Sequence, residues 1–190
     1  STVASTYSWI AASQSNVTGE STTSQSGATI NNTLTNTVTS DQNVVYTVTP
    51  TSTTGGCVGS NQTVTITVRA PFVVGAISTT GETICYGGTP STAIGNTTSA
   101  SGGDGSITYS WRSSADGYTA AISGATSATY TPPAGLTTTT SYRRYAKDNT
   151  CNTTPTVSTG TWTVTVRANF TSGAISTTGE TICYGGTPST

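Results

Sequence analysis

"QTVTITVRA", residues Gln62–Ala70, puts Val64, Ile66 and Val68 on one face of an extended chain and Thr63, Thr65 and Thr67 on the other. Alternation of apolar and hydroxyl residues, mostly β-branched, has the period of a half-buried strand. "TWTVTVRA" (Thr161–Ala168) repeats the pattern with Trp162, Val164 and Val166. "VVYTVTP" (Val44–Pro50), "SITYSW" (Ser106–Trp111) and "TSYRRYA" (Thr140–Ala146) alternate likewise. Turn-forming clusters fall between them: "TTGG" at 53–56, "SGGDGS" at 101–106, "ADG" at 115–117 and "PPAG" at 132–135. No stretch carries a convincing 3.6-residue period. Short strands with a turn about every ten residues predict an all-β sandwich or barrel.

The pattern is repeated on a larger scale. "GAISTTGETICYGGTPST" begins at Gly75 and again at Gly173, and "TVRANF" (Thr165–Phe170) echoes "TVRAPF" (Thr67–Phe72) at the same spacing of 98 residues. About 100 residues is the size of one immunoglobulin-like sandwich. The register predicts three parts. Residues 1–70 are the later part of one domain, 71–168 are one whole domain, and 169–190 are the first strand or strands of a further one. "RAPFVVGAIS" and "RANFTSGAIS" leave almost no slack between domains, where a flexible linker would be long and rich in Gly and Ser. Tandem sandwiches so joined are expected to form an elongated rod. Phe72 and Phe170 are the only two Phe residues, and both fall at these junctions. Each either caps its own core or packs between neighbours.

Composition narrows the function. Only 7% of residues are charged, against roughly 25% in an ordinary domain; hydroxyls and amides must carry solubility. The net charge of -1 provides no counterion-releasing surface for nucleic acid and no pull toward anionic lipid. No apolar run approaches the roughly 20 residues of a membrane span. The expectation is therefore no nucleic-acid partner and no membrane insertion by this segment. Histidine is absent, and the seven carboxylates (Glu20, Asp41, Glu82, Asp104, Asp116, Asp148, Glu180) are scattered singly. Without an acid–base pair, a nucleophile elbow, a phosphate loop or a metal-ligand cluster, neither catalysis, a cofactor nor a metal is expected. Asp104 in "GGDGS" reads as a turn residue in preference to a calcium ligand, because calcium wants several converging oxygens.

The four cysteines are Cys57, Cys85, Cys151 and Cys183. Cys85 and Cys151 are the two within 71–168, and a bridge between them is expected; a Cys57–Cys85 bridge between domains is the rival. The bridge would add roughly 4 kcal/mol in the chain-entropy account and would place the protein in an oxidising space. On the first pairing, Cys57 and Cys183 would find partners outside this stretch. Trp9 and Trp111 share the context "YSW" and, with Trp162, read as core anchors. Tyr142 suits a tyrosine corner. Arg143–Arg144 reads as structural in preference to a binding fork.

"GAISTTGETICYGGTPS", followed by "GGDGSITYSWRSSADGYTAAISGATSATYTPPAGLTTTTSYRRYAKDNTC" and "TVTV", resembles the PKD-like, immunoglobulin-like repeats of very large surface proteins of the Bacteroidota. "YSWIAASQSNVTGE", "INNTLTN" and "VVYTVTPTSTTGGCVGSNQTVTITV" are similar to a second repeat type of the same proteins. The W-D-F-G-D-G signature of true PKD domains is absent, with "WRSSADG" near its place. The resemblance is greatest to the mobile gliding-motility adhesins of flavobacteria. It implies type IX export, display on the cell surface and a structural stalk, with anchoring and secretion partners in the outer membrane outside this segment. It leaves external surfaces or polysaccharide as partners, and polysaccharide binding or a spacer role in a secreted polysaccharide-degrading enzyme as alternatives.

Overall fold

The structure is a computed structural model and describes residues 3–189. It is all-β, and the one helical element among the described residues is a single 3-10 turn at Ser114–Asp116. The first sandwich contains β1 (Ser5–Ala11), β2 (Val17–Thr18), β3 (Gln25–Ser26), β4 (Thr35–Asn36), β5 (Gln42–Ser52) and β6 (Gln62–Val68). Its main sheet runs β3-β1-β5-β6, all antiparallel, with β2-β4 as a small second sheet. The second sandwich contains β7 (Ala76–Ile77), β8 (Glu82–Ile84), β9 (Asn96–Thr98), β10 (Thr108–Ser113), β11 (Thr140–Lys147), β12 (Thr156–Val157) and β13 (Trp162–Val166). Its sheet runs β10-β11-β13-β8, with β12 also on β11 and β7-β9 as a separate pair. Strand β8 lies parallel to β13, Ile84 opposite Val166; the other ladders of this sheet are antiparallel.

The alternation seen in the sequence becomes burial in β11 and β13, whereas every residue of β6 but the half-buried Val68 is exposed, contrary to the half-buried strand expected there. Every second residue of β11 (Thr140, Tyr142, Arg144, Ala146) is buried and the others are half-buried, as the two-residue period of a strand requires. Trp111, Tyr142, Trp162 and Val164 form the second core with Ile77, Ile94 and Ala125, and Ile84 packs against it. Trp111 is fully buried, stacks on Tyr130 at 5.5 Å and donates its indole N–H to the Ser127 carbonyl at 2.9 Å. The first core is Trp9, Ala11, Val17, Val44 and Tyr46. A fully buried side chain of this kind is worth about 1.5–3 kcal/mol relative to exposure.

Arg144 is also fully buried. Its Nε donates to Ser158 Oγ (3.1 Å), Nη1 to Asn96 Oδ1 (2.6 Å) and the Ala128 carbonyl (3.0 Å), and Nη2 to the carbonyls of Ala76 (3.3 Å) and Thr98 (3.2 Å). The guanidinium lies 4.6 Å from the Tyr109 ring centre. A buried cation is tolerated where all its donors are met, and this one fastens β11 to β7 and β9. Arg143 points to the opposite face, 4.2 Å over Tyr118. Consecutive strand residues cannot form a fork.

Residues 169–189 form no strand and are exposed along their whole length. They keep local turns seen in the earlier copy. The Gly186 amide donates to the Cys183 carbonyl as the Gly88 amide donates to the Cys85 carbonyl, each at 2.9 Å. Ser189 bonds to Glu180 as Ser91 bonds to Glu82.

Candidate functional site: the joint and an open apolar face

The joint between the sandwiches has no free linker. Strand β6 ends at Val68, and Ala70 is already bonded on both sides. Its amide donates to Asp41 Oδ1 at 2.9 Å, and its carbonyl accepts the Gly103 amide at 3.0 Å. Asp41 Oδ2 also pairs with Arg69 Nη1 at 2.6 Å. The Ala70 amide and then the Arg69 guanidinium hold the Asp41 carboxyl below its ordinary value. Gly102 and Gly103 both have positive φ, +75° and +59°. A Cβ on Gly102 would overlap the Pro71 carbonyl, and one on Gly103 would overlap Asp148 Oδ2. This Gly-Gly pair is therefore required by close approach as well as by turn geometry.

Asp148 organises the loop behind Gly103. It is fully buried and accepts the amides of Cys151 (2.8 Å), Asn152 (2.6 Å), Thr150 (3.2 Å) and Asp104 (3.3 Å), and the Asn152 side-chain amide (2.8 Å). Burial alone would raise its pKa. The hydrogen bonds from Asn152, Cys151 and Asp104 outweigh that and hold it at about 2. Asp104 accepts the Ser106 and Asn149 amides and the Thr150 hydroxyl. Its oxygens thus serve turn geometry.

The expected Cys85–Cys151 bridge is not formed: all four cysteines are unbonded and exposed. The sheet register supplies the reason. Cys85 follows Ile84, whose carbonyl accepts the Arg167 amide at 2.9 Å, at the downstream pole of the second sandwich. Cys151 lies in the Asp148 loop, at the upstream pole beside the joint. The eight residues of β11 lie between these poles, a span of about 24 Å at roughly 3.4 Å per residue. A disulfide requires Cα atoms within about 7 Å. The rival Cys57–Cys85 pair is also unformed, because Cys57 follows β5 at the end of the first sandwich remote from the joint.

Phe72 is half-buried at the joint and belongs to neither core cluster, and Phe170 is 87% exposed. Trp9, Trp111, Trp162 and Tyr142 all lie in the cores. Burial first, and then the neighbouring Tyr130, push the Tyr142 phenol up to about 12.

A second feature has no motif in the sequence. Tyr7, Trp9, Ile30, Val48, Val64 and Ile66 line an open apolar groove of about 420 Å³ on the first sandwich. Trp9 Nε1 is buried there without a hydrogen-bond partner. Val64 and Ile66 are 39% and 38% exposed, whereas their counterparts Trp162 and Val164 are 3% and 0% exposed. The counterparts follow from the pairings Tyr46–Val64 and Tyr142–Trp162. In the second sandwich, Ile77, Ile84 and Ile94, from the segment that opens it, complete the core around Trp162 and Val164. The first sandwich has no strand beyond β6 among the described residues.

Residues 73–168 match the family described as Domain of unknown function (DUF8696), over half of the chain. The chain belongs to the DUF8696 family. The DUF8696 match begins just past the joint and ends just beyond β13. Residues 1–71 match the PKD-like domain family, a kind of module that is typically extracellular. A search of curated proteins gave no match. No helix among the described residues of this DUF8696 protein is long and apolar enough to cross a membrane.

Proposed function

We propose that the chain is a stretch of structural stalk in a giant cell-surface adhesin, which projects a binding tip and transmits force during attachment or gliding. The observation that carries this reading is the joint. Ala70 is bonded at its amide to the first sandwich and at its carbonyl to the second, so tension along the chain passes from one sheet into the next with no slack to take up. The PKD-like match supports an extracellular, adhesion-type module. The resemblance to Bacteroidota surface repeats supports type IX export and anchoring by outer-membrane partners outside this segment. On this reading the segment is not an enzyme and takes no cofactor.

The test uses the full-length surface protein. Deletion of residues 1–168 is expected to leave export and tip binding intact and to reduce attachment of cells under shear. Purified 1–190 is expected to bind no glycan on a polysaccharide array. Specific retention on the array, with attachment unchanged by the deletion, would replace the stalk with a polysaccharide-binding repeat.

A further inference from the structure

We infer that the cysteines of this protein staple consecutive sandwiches of one chain: Cys85 bonds the loop cysteine of the sandwich that follows, and Cys151 bonds the opening cysteine of the sandwich before it. The cysteines fall into two classes by position. Cys57 and Cys151 each follow the central strand of their sheet, β5 and β11, and lie at the upstream pole of their sandwich. Cys85 lies at the downstream pole, just past the pairing of Ile84 with Val166. Cys183 holds the same place in the second copy of the opening stretch. A sandwich with one cysteine at each pole cannot close a bridge on itself. A row of such sandwiches brings a downstream and an upstream cysteine together at every joint.

The joint at Ala70 shows where they meet. The Ile84 carbonyl accepts the Arg167 amide at 2.9 Å, so Cys85 sits beside Arg167. Arg167 is the counterpart of Arg69, 98 residues earlier in the same "TVRA". By this register the opening cysteine of the first sandwich belongs beside Arg69. Cys151 approaches the same arginine from the second sandwich. Arg69 and Asp104 line one crevice of about 170 Å³. Asp104 accepts the Thr150 hydroxyl at 2.8 Å, and that hydroxyl lies 3.7 Å from the Cys151 sulfur. The Arg69 guanidinium is held above its ordinary value first by Asp41 and, more weakly, by Cys151 and Asp104 across the joint. Two cysteines that converge on one arginine meet the proximity a disulfide demands, with Cα atoms about 4.4–6.8 Å apart. The bond forms by exchange with an oxidised dithiol carrier of the exporting compartment. The two thiols give up two protons and two electrons, and the carrier disulfide becomes two thiols. Each staple adds a second covalent path across a joint. It needs only consecutive sandwiches and is independent of adhesion.

The experiment is peptide mapping of the full-length surface protein, with free thiols alkylated before trypsin is added. Cleavage at Arg69 and Arg112 places Cys85 in peptide 70–112, and cleavage at Lys147 and Arg167 places Cys151 in peptide 148–167. Both peptides are expected to be unalkylated and disulfide-linked. All four cysteines are exposed, so serine at any of them leaves the sandwiches folded. In Cys151→Ser, Cys85 should stay linked; in Cys85→Ser, Cys151 should stay linked. A bridge within one sandwich predicts the reverse, each substitution freeing the other cysteine to alkylation, and that result would overturn the inference. Alkylated Cys85 in the unaltered protein would overturn it too, as would a link from peptide 70–112 to the peptide carrying Cys57.

Discussion

Replacing Arg144 by methionine keeps an unbranched side chain of similar reach and removes every donor. Five acceptors lose this donor together: the carbonyls of Ala76, Thr98 and Ala128, Asn96 Oδ1 and Ser158 Oγ. Each buried acceptor left unmet costs about 1–3 kcal/mol. Relief from burying the guanidinium offsets part of this, since burial disfavours its charged form. The expected net loss is about 3 kcal/mol, a large share of the 5–15 kcal/mol that holds a typical domain folded. For a unit of about 100 residues this corresponds to a fall in Tm of roughly 12–24 °C. The assay is denaturant unfolding of 1–190 followed by tryptophan fluorescence. The first sandwich, with Trp9, serves as an internal control whose transition should not move. Arg143→Met is the matched comparison, because Arg143 lies on the outer face over Tyr118, where such a contact is worth about 0.5–1 kcal/mol. If the two variants unfold alike, or Arg144→Met costs under 1 kcal/mol, Arg144 is not the fastening between the layers.

Gly103→Ala should destabilise the second sandwich more than Gly124→Ala. Both glycines have positive φ, which costs alanine about 1–2 kcal/mol, but Gly124 faces open space while a Cβ at Gly103 overlaps the buried Asp148 carboxylate; differential scanning calorimetry gives the comparison. Asp148 makes the second sandwich acid-sensitive: with a folded pKa of about 2 against an ordinary 3.8, its contribution is fully present above pH 4 and lost as pH falls toward 2. An NMR titration that finds the Asp148 carboxyl protonating near 4 would contradict this. Non-reducing mass spectrometry of monomeric 1–190 should find no Cys85–Cys151 link, and such a link would require a strand register different from the one described.

Alternation in "QTVTITV", "TSYRRYA" and "TWTVTV" was enough to establish strands and the all-β class, because the two-residue period is a local property of an extended chain, but it did not set burial: Val64 and Ile66 are 39% and 38% exposed. Trp9, Trp111 and Trp162 could be placed in cores as the anchors an immunoglobulin-like sandwich calls for, and Tyr142 as its corner tyrosine. The repeat at Gly75 and Gly173 was legible as an identity of letters. What the first copy pairs with was not: β8 lies parallel to β13, and only the tertiary structure shows it. Cysteine pairing misled because sequence separation says nothing about poles. Cys85 and Cys151 are far apart since β8 runs parallel to β13, a register that no local pattern encodes. The "SGGDGS" stretch announced a turn, yet its role in the joint depends on Pro71 and Asp148 arriving from elsewhere in the chain. Arg144 and Val48 occupy equivalent strand positions, one a buried cation and the other the wall of an apolar groove. Local sequence sets which face a residue joins. The partners that meet it there, carbonyls from β7 and β9 around Arg144, are set by the fold.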